Sequence, residues 1–183
     1  MNDAGGVPLR VLESDRLTLV SATIDLIAAD LAGRAALAAA LRAEVSEQWP
    51  PELFSTTVMR VMQDQLRDAA EQGWSAWYLL CRENAAATLA GICQFKGRPD
   101  ESGSVEVAYS ILESYRGRGF ATEAVARLVH WAFVHQNVRE ISAETLPYRR
   151  KSIRILENLG FQFAGTGSEQ GVVRYVLRHS PGR

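Results

Sequence analysis

The sequence predicts a single mixed α/β domain of the α+β kind, with about seven strands in one mostly antiparallel twisted sheet and helices on both of its faces. Three observations carry this. The chain has 183 residues, 47% of them hydrophobic and 22% charged, enough for one full core and few for two. Three alternating apolar runs, at 76–82, 88–95 and 104–112, follow one another across Asn- and Gly-bearing turns, as in an antiparallel meander. A helix, a strand, a helix and a hairpin then succeed one another, which lays helices on a sheet and differs from the repeating βαβ series of a dinucleotide fold. The domain is expected to span 1–183, with flexible termini at 1–10 and 179–183.

Arg16-Leu17-Thr18-Leu19-Val20 alternates as a first strand. The Ala/Leu-rich stretch 23–45 favours helix, and Gly33 divides it in two. Trp49-Pro50-Pro51 then forces a loop, because proline lacks an N–H and pushes the preceding residue out of the α region. Across 55–72, Val58, Val61, Met62, Leu66 and Ala69 recur near the helical period, with Ser55 as N-cap and Gly73 as stop. Beyond the meander, Ala121, Ala124, Val125, Leu128 and Ala132 share one helical face, predicting a helix over 120–135 that packs on the sheet. A short strand at 140–145, a helix at 149–158 stopped by Gly160, and a hairpin of 161–166 with 172–178 complete the chain.

A net charge of −1 gives no basis for bulk nucleic-acid binding. The charge is nonetheless uneven: residues 114–154 hold eight Lys/Arg against three Asp/Glu. Cys81 and Cys93 sit in apolar surroundings without metal-ligand spacing and read as buried free thiols. Three histidines, His130, His135 and His179, form no ligand motif, so no metal is expected. Residues 1–11 lack the apolar core of a signal peptide and no later run approaches membrane length, so a cytoplasmic protein with no membrane partner is expected.

Between the third meander strand and the following helix lies Arg116-Gly117-Arg118-Gly119-Phe120-Ala121. Glycines allow a tight backbone turn, and the first turn of a helix carries N–H groups without intrahelical partners. Such a place favours a phosphate or pyrophosphate. In the strand before it, Val105, Val107, Tyr109 and Ile111 share one face and Glu106, Ala108 and Ser110 the other. Glu106 reads either as a solvated strand glutamate or, if its face borders a cleft, as a general base.

The run Val105-Glu106-Val107-Ala108-Tyr109-Ser110-Ile111-Leu112, followed by Tyr115-Arg116-Gly117-Arg118-Gly119-Phe120-Ala121-Thr122-Glu123-Ala124, resembles the cofactor motif of the GNAT superfamily of acyl-CoA-dependent N-acyltransferases. The segment from Leu12 to Leu19 and that from Ser152 to Phe161 resemble its branch of ribosomal-protein N-terminal acetyltransferases. The resemblance covers nearly the whole chain. It implies a splayed central strand pair, acetyl-CoA as cosubstrate, and a pyrophosphate wrapped by the loop of Arg116, Gly117, Arg118, Gly119, Phe120, Ala121 and Thr122. Backbone groups near Ser110, Ile111 and Leu112 would pair with the pantetheine arm as if it were a strand.

The implied reaction is direct attack of an amine on a thioester, which needs a base for the ammonium proton and donors for the oxyanion and thiolate. Glu106 matches the branch's base, and Ser152 matches a serine near the cofactor sulfur, although a serine in a helix's first turn also simply binds backbone. Two positions depart from the pattern. The usual asparagine is Arg149, within Arg149-Arg150-Lys151, where the bases either meet a cofactor phosphate or form a solvated helix start. The tyrosine that donates to the thiolate in many members is Leu156. The acceptor side is expected from the first helices and the Trp49 loop, with Trp49 touching substrate and Phe54 and Trp74 as further walls. The expected acceptor is a primary amine, foremost a protein N-terminus; a small-molecule amine and a non-catalytic acyl-CoA-binding module are the alternatives, in a monomer or homodimer.

Overall fold

The computed structural model describes residues 9–83 and 85–179; residues 1–8 and 180–183, most of the termini expected to be flexible, lie outside the described residues. Its strands are β1 (Val11–Glu13), β2 (Leu17–Ser21), β3 (Ala76–Cys81), β4 (Thr88–Phe95), β5 (Ser104–Ile111), β6 (Glu140–Thr145), β7 (Gln162–Thr166) and β8 (Val173–Arg178). They form one sheet in the order β1-β2-β3-β4-β5-β6-β8-β7. Among the described strands only the β5–β6 pairing is parallel.

Alternation along the strands explains the two cores. Leu17, Leu19, Trp77, Leu79, Cys93, Phe95, Val105 and Val107 point to one face, where α4 (Phe120–Phe133) contributes Phe120, Ala124, Val125 and Leu128, and α5 (Arg150–Asn158) contributes Leu156. Val20, Ala76, Tyr78, Leu80 and Ile92 point to the other face, under α1 (Ile24–Ala32), α2 (Arg34–Leu41) and α3 (Thr56–Gln65). β3 is buried along its whole length because both faces are covered. Cys81 and Cys93 are buried and free.

The mixed fold with helices on both faces is as expected, with three adjustments. Among the described residues there are eight strands, because the opening segment doubles back at Ser14–Arg16 into β1 and β2. Gly33, at φ +123°, does separate two helices, and its N–H closes α1 on Ala29 and Asp30. The helix expected to reach residue 72 stops at Gln65; Asp68 then caps a short 3₁₀ turn, Ala69–Glu71, through the Ala70 N–H. Arg98 holds that turn from across the fold by pairing with Asp68 and Glu71, a tertiary contact that overrides the helical period.

Candidate active site

β5 is paired unequally on its two sides. It follows β4 from Val107 to Ile111, whereas it meets β6 only at Ser104, Val105 and Glu106, opposite Glu140, Ile141 and Ser142. Past Glu106 the two strands part, and β6 continues on β8 to Thr145. A wedge opens there. The Lys96 N–H donates to the Glu106 carbonyl at 2.9 Å and the Leu112 N–H to the Ala90 carbonyl at 2.9 Å, so even-numbered residues turn their backbone toward β4. Alternation then aims the backbone of Val107, Tyr109 and Ile111 into the wedge. The expected edge of Ser110, Ile111 and Leu112 is thereby corrected: Ile111 keeps its place, Ser110 and Leu112 face β4, and Val107 and Tyr109 join.

The glycine loop stands at the open end. Gly117 has φ +76° and Gly119 φ +84°, a left-handed conformation that side chains rarely adopt. Gly119 is the N-cap of α4 and brings no capping side chain, and the first helical bond runs from the Glu123 N–H to the Gly119 carbonyl at 3.1 Å. The helix itself therefore offers no partner to the N–H groups of Phe120, Ala121 and Thr122. Phe120 is 1% exposed and anchors the turn in the core, with Arg16 and Arg118 guanidiniums over its ring. Arg118 also pairs with Glu83.

A clamp from the other end of the chain fixes this turn. Glu123 accepts from the Arg16 N–H at 2.7 Å, the Arg16 Nε at 2.8 Å and the Ser14 hydroxyl at 2.8 Å, while Arg16 Nη1 donates to the Arg118 carbonyl at 2.9 Å. Burial pushes the Glu123 carboxyl up, but these donors outweigh it and hold the group below its ordinary range. Sequence reasoning assigned neither Arg16 nor Glu123 a role; more than a hundred positions separate them, so no local spacing marks the pair.

Glu106 lies at the apex of the wedge, its last paired position, on the face of α1, α2 and α3. Its side chain is 22% exposed and pairs with Lys96, a partner that alternation alone does not reveal. Tyr109 points to the opposite face, and its hydroxyl donates to the Ser152 carbonyl in the first turn of α5 at 3.3 Å. Burial, together with the nearby Cys93, pushes this phenol up, against the pull of the Ser152 hydrogen bond. Tyr109 and Ser152 thus stand together across the wedge from the Glu106 face. Leu156 is 1% exposed and only packs in the core.

On the Glu106 face, Trp49 is buried rather than open to solvent. Its indole Nε1 donates to Asp30 Oδ1 at 2.7 Å, the Tyr78 hydroxyl donates to Asp30 Oδ2 at 2.8 Å, and the two rings lie 5.8 Å apart. Burial raises the Asp30 carboxyl above its ordinary range despite both donors. Trp49, Phe54 and Asp30 line a cavity of about 140 Å³ with Pro50 and Met59. Trp74 is a correction: it packs on Phe95, Trp131 and His135 in the α4 layer, across the sheet from Glu106, and cannot wall the same site. Arg149 is the N-cap of α5, and Arg150 and Lys151 are exposed beside it.

An open strand edge leading to a bare helix start suits a long ligand that ends in phosphates: its chain can complete the sheet and its anion can take the amides.

Residues 16–162 match the family model described as Acetyltransferase (GNAT) domain. An uncharacterized N-acetyltransferase of Bacillus subtilis is 29% identical over 153 residues, covering 82% of this chain and 89% of that protein. An acetyltransferase structure from Agrobacterium tumefaciens superimposes with a TM-score of 0.66 at 18% identity, over 98% of this chain and 100% of its own. A ribosomal-protein-S5-alanine acetyltransferase from Vibrio fischeri gives 0.64 at 19% identity, over 92% and 96%. At these identities the two structures speak to the fold.

Proposed function

The chain belongs to the GNAT acetyltransferase family, and on that premise we propose that it is a single-domain enzyme transferring acetyl from acetyl-CoA to a primary amine, the acceptor being a protein or peptide α-amine. The observation that carries the reading is the position of Glu106 where β5 and β6 part, with Tyr109 on the opposite face and its hydroxyl on the Ser152 carbonyl in the first turn of α5. Bound acetyl-CoA supplies the acetyl thioester. The residues that hold it are the loop from Arg116 to Thr122 for the pyrophosphate and the backbone of Val107, Tyr109 and Ile111 for the arm.

Glu106 removes the proton that an ammonium must lose before its nitrogen can attack, directly or through one water. Lys96 neighbours that carboxylate and fixes its direction. On the far side, the Ser152 hydroxyl is the O–H donor for the departing thiolate, its turn of α5 held by the Tyr109 hydroxyl on the Ser152 carbonyl, and Leu156 has no proton to donate. Preference for an α-amine draws on the ribosomal-protein acetyltransferases among the structural neighbours, and it is the part of the reading that rests on likeness rather than on a side chain.

A thiol-release assay with purified protein tests the reading. Acetyl-CoA is offered with peptides bearing free N-termini and with small amines, from about pH 6 to about pH 9.5, a range that covers deprotonation of base and amine. Release that depends on a peptide α-amine is expected. Release with small amines alone would move the substrate class, and tight binding with no release by any amine would leave a binding module and end the enzyme reading.

A further inference from the structure

Two guanidiniums from opposite sides of the wedge mouth converge on one carboxylate. Arg116, at the start of the glycine loop, donates through Nε to the Ile111 carbonyl at 3.0 Å and holds Nη2 3.7 Å from Glu52. Arg149 donates through Nη2 to Glu52 Oε1 at 2.7 Å and through Nη1 to Oε2 at 3.5 Å. Glu52 belongs to neither wall. It rides on the loop after Pro51, whose flanking residues Trp49 and Phe54 are buried under α1 and α3. The loop tip is strained: Leu53 has φ +78°, costly for a side chain with a Cβ, and is 62% exposed.

The same spot is attractive to anions for reasons independent of Glu52. α5 starts at Arg149 without a side-chain cap, so the positive end of its dipole adds to the two guanidiniums. The Arg149 hydrogen bond and charge, with Arg116 behind them, hold the Glu52 carboxyl below its ordinary range. A phosphate carries more charge than a carboxylate and matches the guanidinium fork, so it competes well for these arginines.

We infer that Arg116 and Arg149 form a phosphate site at the mouth of the wedge, filled in the free protein by Glu52, and that a phosphate group of the cofactor displaces Glu52 from it. The inference rests on the reading above that the ligand is an acyl-CoA. It departs from the family pattern at Arg149, where relatives of this branch carry asparagine. Displacement releases the tip of the 50–54 loop, which borders the Trp49 cavity, so the cofactor's arrival loosens the acceptor side.

Calorimetric titration of coenzyme A and of dephospho-coenzyme A, at low salt, into the wild type, Glu52→Gln and Glu52→Gln/Arg149→Gln tests this without turnover. Glu52 is half exposed, so its replacement leaves the fold intact. Glu52→Gln is expected to bind coenzyme A about three- to fivefold more tightly than the wild type, the size of an exposed ion pair that no longer competes. Adding Arg149→Gln is expected to cancel that gain. If the second loss occurs with coenzyme A alone, the guest is the 3′-phosphate; if it occurs with both ligands, the guest is the pyrophosphate. Unchanged or weaker binding by Glu52→Gln, or equal binding by the two variants, overturns the inference. A wild type that binds neither ligand overturns the acyl-CoA reading itself, a separate and visible result.

Discussion

The two sides of the wedge are made of different materials. The side proposed for the cofactor arm and pyrophosphate is backbone: the aimed amides of Val107, Tyr109 and Ile111, two glycines at positive φ, and a helix start without a capping side chain. The side proposed for the acceptor is side chains from distant segments, with Asp30 joining Trp49 to Tyr78. A backbone site constrains the sequence at fixed short spacing, because only small residues permit the turn. A side-chain site demands only that the right groups meet, and it is free to draw them from anywhere in the chain.

The largest expected effect separates chemistry from cofactor binding. Glu106→Gln is expected to lower kcat by about a hundredfold or more, as loss of a general base does, with coenzyme A affinity unchanged. An unchanged kcat would remove Glu106 from the mechanism, and a matching loss of affinity would merge the two sides. Next, Gly119→Val is expected to weaken coenzyme A binding by about tenfold or more. Its Cβ would lie 3.3 Å from Arg16 Nη2, and φ +84° is unfavourable for a β-branched residue. Wild-type affinity by calorimetry would contradict the backbone description.

A smaller effect belongs to the acceptor side. Asp30→Ala leaves the Trp49 indole and the Tyr78 hydroxyl without their shared acceptor and is expected to cost about 1–3 kcal/mol in urea unfolding. Coenzyme A affinity should hold. An equal loss of affinity would show that the two sides are not separately built.

The two sides also differ in their response to acid, the smallest effect. Glu123 has a depressed folded pKa, so its stabilisation is present above the unfolded value of about 4.3 and is lost as pH falls through the lower folded value. Asp30 has a raised folded pKa, so its contribution is fully present below the unfolded value of about 3.9 and is lost as pH rises through the higher folded one. Unfolding measured across that acid range should therefore change slope in opposite directions in Glu123→Gln and Asp30→Asn. Parallel changes would refute the assignment of the two carboxylates.

Legibility in the sequence follows the same division. The meander, the helix after the glycine turn and the late hairpin were readable because alternation and the 3.6-residue period are local. So was the loop, whose glycines sit two apart at a helix start. Which β5 residues turn their backbone into the wedge is not legible in the sequence, since it depends on which neighbour takes each N–H, and that is settled by β4 rather than by the side chains of β5. Trp74 is expected as a wall of the acceptor side because an aromatic near a strand start carries no mark of its face; packing on Trp131 of α4 decides it otherwise. The Arg16–Glu123 clamp, the Asp30 network and the Glu52 bridge were invisible for one reason. Each joins segments that only the folded domain brings together.

The most direct test of the wedge as the cofactor channel is residue-resolved amide exchange by NMR, with and without coenzyme A. Added protection is expected at Val107, Tyr109 and Ile111 and at the first-turn amides of Phe120, Ala121 and Thr122, with little change at Ser110 and Leu112. Protection at Ser110 and Leu112 instead, or none along β5 while coenzyme A binds, would contradict it.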